Sequence, residues 1–113
     1  MTRIPLIPAY QDSRGVILDL IAKDNINAVT VVSFVEGAVR GNHYHKKTIQ
    51  WNYVISGEVL LVSETPGIGR IERVLKKGDF VVTDKNERHA LKGLKASEVL
   101  IITKGPRSGE DYE

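Results

Sequence analysis

The sequence predicts an all-β fold, a sandwich or barrel built from many short strands. No stretch of ten or more residues repeats its apolar positions at the helical period. Instead, β-branched and alternating runs recur at a spacing of roughly 8–12 residues, with Gly, Pro, Asn and Asp between them to supply turn geometry. Val, Ile and Leu far outnumber the aromatic residues, which make up 6% of the chain within a hydrophobic share of 42%, so the core should be aliphatic.

At 113 residues the chain is expected to form one domain, 1–113, large enough to bury a core unaided. Residues 1–10 are read as an extended N-terminal arm and 104–113 as a polar, frayed tail. Pro5 and Pro8 remove backbone donors and confine the arm to an edge strand or to an extended path across the domain or a neighbour. Asp12-Ser13-Arg14-Gly15 is a turn before a strand-like run from Val16 to Ala22, and Lys23-Asp24-Asn25 is a second turn. Ala28 to Phe34 is β-branched and closes at Glu36-Gly37. Trp51 to Val62 alternates and bends at Ser56-Gly57 into two strands. Thr65 to Gly69 is a loop, and Arg70 to Leu75 alternates charged and apolar residues as a half-buried strand would. After the turn at Lys76-Lys77-Gly78, Asp79 to Thr83 is a strand, and Asp84 to Glu87 is a turn in which Asn86 tolerates left-handed backbone. His89 to Leu94 and Ser97 to Thr103 complete the series.

Charge and composition exclude several classes. The net charge is +2, and beyond Gly57 the chain carries ten residues of each sign, too little imbalance for a nucleic-acid partner. Without cysteine, disulfides and thiol nucleophiles are excluded, and any metal site must use nitrogen and oxygen ligands. The first residues lack the apolar core of a signal peptide and no run reaches membrane-spanning length, so a cytoplasmic protein with no membrane partner is expected.

The stretch Val39 to Gln50 holds two of the three histidines. His43 and His45 are two apart, so in an extended strand both imidazoles share a face, which suits a metal or a bound substrate. The third, His89, is distant in sequence.

The spacing of these residues resembles the cupin family. Gly37, His43, His45, Gln50 and Gly57 follow one another with gaps of five, one, four and six residues, as in the first cupin motif, with Gln50 where the family has an acidic ligand. Gly78, Asp84, Asn86 and His89 keep the gaps of the second motif, although its Pro and Gly are replaced. The resemblance implies a cupin-type jelly-roll β-barrel whose two motifs lie on neighbouring strands facing the interior. It also implies a metal site of His43, His45, Gln50 and His89. Three imidazoles and an amide oxygen suit a divalent ion, Zn, Fe, Mn or Ni. Gln in place of Glu removes one negative charge, so such an ion should bind more weakly and stay more cationic.

Asp12-x-Arg14-Gly15 together with Arg40-Gly41-x-His43 is similar to the cupin enzymes acting on nucleotide-linked keto-sugars, the dTDP-4-dehydrorhamnose 3,5-epimerases and sugar 3,4-ketoisomerases. Gly41-Asn42-His43-Tyr44-His45 is also similar to cupin domains of capsular polysaccharide biosynthesis proteins. This resemblance implies an isomerase or epimerase of a sugar or related keto compound, with His43, or the pair His43 and His45, as general base. A histidine's ordinary pKa suits that task at neutral pH. Tyr44 and Tyr53 are the candidate acids, although alternation turns Tyr44 away from the face shared by the histidines and puts Tyr53 on the parity opposite to Gln50. Arg40, with Lys47 and Tyr53, would bind substrate, Arg40 gripping a carboxylate or phosphate. The alternatives are a metal-free pocket lined by the same histidines, a metal-dependent oxygenase, and a non-catalytic sugar- or metabolite-binding domain. Trp51 and Tyr53 should face outward if Gln50 faces inward. They would then form the core of a homodimer interface to which the arm contributes, or be covered by a loop or the tail of the same chain.

Overall fold

The computed structural model describes residues 1–43 and 46–106, with 42 and 43 described through their backbone only. Among the described residues there are eleven strands and no helix: β1 (Thr2–Arg3), β2 (Tyr10–Asp12), β3 (Gly15–Ile17), β4 (Ala28–Phe34), β5 (Val39–His43), β6 (Ile49–Ser56), β7 (Glu58–Thr65), β8 (Gly69–Lys76), β9 (Phe80–Thr83), β10 (Arg88–Gly93) and β11 (Ser97–Lys104). They form a five-stranded sheet in the order β1-β9-β6-β11-β4, a four-stranded sheet in the order β5-β10-β7-β8, and a separate β2-β3 hairpin. Every pairing is antiparallel. The two larger sheets stack face to face as the expected jelly-roll barrel.

Alternation along each strand builds the core. Val54, Val81 and Val99 from the five-stranded sheet meet Val59, Leu61, Leu75 and Leu91 from the four-stranded sheet, with Phe34 closing the cluster. The outer face of the five-stranded sheet is also apolar, and here the chain covers itself. Trp51, Phe80 and Ile102 pack beneath Ile4 and Leu6 of the arm and beneath Leu20, Ile21 and Ile26. Trp51 is 8% exposed, which corrects the expectation of an exposed aromatic pair: the parity was right, but the chain's own segments fill that face.

Three features also differ from expectation. The run from Val16 does not continue as a strand beyond Ile17, because its side chains serve as the cover over Trp51 and have no strand to pair with. β8 is an edge strand of which only Leu75, opposite Val59, is buried, so the alternation of Arg70 to Leu75 marks an exposed ribbon. At the other end β11 runs through Lys104, whose ammonium lies 2.5 Å from Asp24, and the Gly105 N–H donates to the Asn27 side chain at 2.7 Å. Residues 107–113 of the expected tail lie outside the described residues.

Candidate functional site

The inward positions that are apolar through the middle of the barrel turn polar toward one end. Asn52 on β6, Ser63 on β7, Thr83 on β9, His89 on β10 and Thr103 on β11 are all buried, and Gln50 is half-buried. Between these strands lies a cavity of about 310 Å³. Arg40, Gln50, Asn52 and His89 supply its polar wall, and Phe34, Leu91 and Ile101 its apolar one. A concave site with few polar groups on an apolar lining is the common form of a small-molecule site. A wider depression of about 590 Å³ at the β7–β8 turn, lined by Pro66, Gly67 and Gly69, brings no histidine to its wall.

A β-bulge sets the phase of the site. His89 and Ala90 are consecutive on β10, yet their partners on β5 are His43 and Gly41, so Asn42 is the extra residue. In a regular strand Arg40 and His43, three apart, would fall on opposite faces. With the bulge, Arg40 stands opposite Leu91 and His43 opposite His89, two positions on one face of β10. Gly41 permits this by its φ of +91°, and a Cβ there would stand 3.0 Å from the His89 carbonyl oxygen.

Hydrogen bonds fix several of these groups. The His89 Nδ1 lies 3.0 Å from the Glu87 carbonyl oxygen, which can only accept, so Nδ1 carries a proton, and when the ring is neutral its lone pair is on Nε2. The Gln50 amide nitrogen donates to Thr103 Oγ1 at 3.4 Å, and the Asn52 amide nitrogen donates to the Val81 carbonyl at 3.2 Å. Arg40 lies with its guanidinium carbon 5.6 Å from the Phe34 ring centre and donates to the Ser33 carbonyl at 3.2 Å.

The structure thus brings Arg40, Gln50 and His89 to one cavity and sets the backbone of His43 beside them. The side chain of His43, with Tyr44 and His45, lies outside the described residues. Among the described residues no three His, Asp or Glu side chains gather as a metal-binding group. Tyr53 is not brought to the cavity: it packs edge-on to Phe80 on the outer face, ring centres 6.4 Å apart. Lys47 is exposed at the bend before β6 and does not line the cavity. Asp12 and Arg14 pair with each other at 2.7 Å on the β2-β3 hairpin, away from the cavity, and that contact lowers the Asp12 pKa.

Two residues of this region were not singled out in the sequence. Asn52 shares the parity of Gln50, a signal that was available. Glu87, 3% exposed, reads in the sequence only as part of a turn. Burial pushes its carboxyl up, but the N-terminal ammonium, the Asp84 N–H and the Ser63 hydroxyl all bond to it and together hold its pKa below the ordinary 4.5. A depressed folded-state value means that the stabilisation is complete above the unfolded value and is lost as pH falls through the folded one. Glu87→Gln is therefore expected to be less stable than wild type at neutral pH, with the gap narrowing below about pH 4.5. Urea midpoints from about pH 7 to about pH 3 check this, and a gap independent of pH would contradict it.

Comparison with known proteins agrees with this architecture. The family model described as Cupin domain matches residues 30–103. A pectin degradation protein, KdgF of Dickeya dadantii (strain 3937), is 34% identical over 79 residues, covering 70% of this chain and 67% of that protein. Among solved structures, QdtA, a sugar 3,4-ketoisomerase from Thermoanaerobacterium thermosaccharolyticum in complex with TDP, superposes with a TM-score of 0.83 at 18% identity, covering 99% of this chain and 85% of that one. A dTDP-4-dehydrorhamnose 3,5-epimerase from Sulfolobus tokodaii gives 0.75 at 19% identity, covering 92% and 70%. Motif spacing, barrel topology and the family match together establish that this chain belongs to the cupin family.

Proposed function

We propose that this chain is an isomerase or epimerase of a sugar-derived keto compound, with His43 and His45 handling the proton and Arg40 holding an anionic group of the substrate. The observation that carries the reading is a single cavity holding a tautomer-fixed His89 with Arg40 and Gln50, with the register setting His43 opposite His89. The likeness to a ketoisomerase, an epimerase and a pectin degradation protein supports a carbohydrate substrate.

The donor set fits a divalent ion. With the proton on Nδ1 a neutral His89 offers Nε2, and Gln50 uses its amide nitrogen on Thr103, which leaves the carbonyl oxygen as its donor atom. A Zn, Fe, Mn or Ni ion held by His43, His45, Gln50 and His89 would supply a Lewis acid for the substrate carbonyl. An imidazole bound to an ion has no lone pair for a proton, so ion and base are alternative uses of the same residues: in the ion-free cavity the proton next to the carbonyl is taken by His43, or by the pair His43 and His45. With Tyr53 on the outer face, the acid role proposed for it falls away, and one imidazole that takes and returns the proton favours isomerisation over inversion. Arg40, braced by Phe34 and Ser33, suits a carboxylate or phosphate.

Deuterium uptake from D₂O into a panel of nucleotide-linked keto-sugars and uronates, followed by NMR, tests the reading. Enzyme-dependent exchange at the carbon beside the carbonyl, lost in His43→Asn, is the expected result. Binding without exchange across the panel would overturn it in favour of a non-catalytic sugar-binding domain. Arg40→Ala should raise KM for the exchanging substrate about tenfold or more, since hydrogen bonds to charged groups contribute about 1.5–3 kcal/mol, with a smaller effect on kcat.

A homodimer is part of the same proposal, but on a different surface from Trp51. Val29 and Val31 on the edge strand β4 are 62% and 55% exposed, and Tyr10, Val16 and Ile17 of the separate hairpin are exposed as well. An isolated hairpin is marginal on its own, so a second copy is the fitting cover. Sedimentation equilibrium tests this, with a monomer at micromolar concentration as the contradicting result.

A further inference from the structure

We propose that Glu87 is a positioning residue whose buried carboxylate clamps the β9–β10 turn so that its own backbone carbonyl holds His89 as the Nδ1–H tautomer. The inference deepens the reading of the cavity above and rests on His89 being one of its working groups.

Glu87 is the one buried carboxylate among the described residues. A carboxylate is kept in such a place only where hydrogen bonds replace its lost water. Its bonds are directed at the turn itself. It accepts the Asp84 N–H at 3.0 Å, while the Glu87 N–H donates to the Asp84 carbonyl at 3.3 Å, a reciprocal closure of the four-residue turn in which Asn86 takes a φ of +62°. Ser63, whose hydroxyl helps to lower the Glu87 pKa, is the cross-strand partner of His89 on β7. The ammonium of Met1 supplies the opposite charge. One carboxylate therefore closes the turn and ties it to the N-terminus, and the Glu87 backbone carbonyl is left aimed at the His89 ring 3.0 Å away. A free histidine in water favours the opposite tautomer, Nε2–H. The clamp reverses that preference and presents the Nε2 lone pair, the arrangement in which an outer hydrogen bond orients a working imidazole.

The test reads the tautomer directly, in the full chain stripped of metal and without substrate. Two-bond ¹H–¹⁵N NMR of the three histidine rings at about pH 8, with His89 assigned from His89→Gln, distinguishes a protonated from a lone-pair-bearing nitrogen. Wild type is expected to show protonated Nδ1 and lone-pair Nε2. Glu87→Gln, which can still accept from Asp84, should keep that pattern. Glu87→Met fills the space but accepts no hydrogen bond. It should shift His89 toward Nε2–H and lower zinc affinity about tenfold. A wild-type His89 already in the Nε2–H form, or a folded Glu87→Met with unchanged nitrogen shifts, would overturn the proposal. Because neither measurement involves turnover, an inactive protein with the expected shifts would count against the enzymatic reading and not against this one.

Discussion

His89→Ala should reduce turnover by at least about a hundredfold while leaving the protein folded. The size follows from the roles a positioned imidazole can fill here: acid–base participation contributes about 10²–10⁴-fold, or, with an ion bound, loss of a donor removes carbonyl polarisation. Survival of the fold follows from where His89 sits. It stands in the polar half of the barrel, outside the apolar cluster of Leu61, Val81 and Val99, and β10 is held on both sides through backbone pairing with β5 and β7. A purely structural histidine would behave in the opposite way, losing stability with little change in chemistry. Turnover measured on His89→Ala at matched folded fraction, beside its urea midpoint, separates the two. Near wild-type activity in the variant would remove His89 from the site.

Gly57→Ala should produce the largest loss of stability from a single methyl group, on the order of 2–4 kcal/mol. Gly57 turns the chain between β6 and β7 at a φ of +82°, where a side chain is strained from the outset. The added Cβ would also stand 2.1 Å from Ser97 Oγ and 2.5 Å from the Ala96 carbonyl oxygen. Ser97 cannot yield cheaply. Its hydroxyl accepts from the Glu58 N–H at 3.0 Å and lies 3.1 Å and 2.8 Å from the carbonyls of Glu58 and Lys95, so it ties the β6–β7 corner to the start of β11. Against a typical domain stability of about 5–15 kcal/mol, that is a shift a urea titration reads easily. A change within about 0.5 kcal/mol would mean that the corner rearranges freely.

How much of this was legible in the sequence depends on whether local chemistry or long-range packing decided the feature. The corner at Gly57, the turn at Asn86 and the strand Ala28–Phe34 follow from residue preferences within a few positions, and they appear where expected. The return of His89 to the neighbourhood of His43 followed from motif spacing, and the β5–β10 register realises it in the backbone. What covers Trp51 was not legible, because the answer lies in Ile4, Leu6, Leu20, Ile21 and Ile26, residues with no periodicity to mark them as a packing surface. The bulge at Asn42 was hidden for another reason. Alternation counts residues, and an inserted residue shows only once the partner strand is known. Glu87 looked like any polar turn residue, since burial of a carboxylate depends on partners gathered from Asp84, Ser63 and the N-terminus.

The cavity around His89, Gln50 and Arg40 is proposed as a metal site completed by His43 and His45. Metal content is its most direct test. Protein purified without a nickel column and analysed by plasma mass spectrometry should carry about one divalent ion per chain, or take one up when offered Zn, Fe, Mn or Ni, and lose it in His89→Ala. If wild type neither holds nor takes up stoichiometric metal, and chelator leaves its thermal midpoint unchanged, the claim fails.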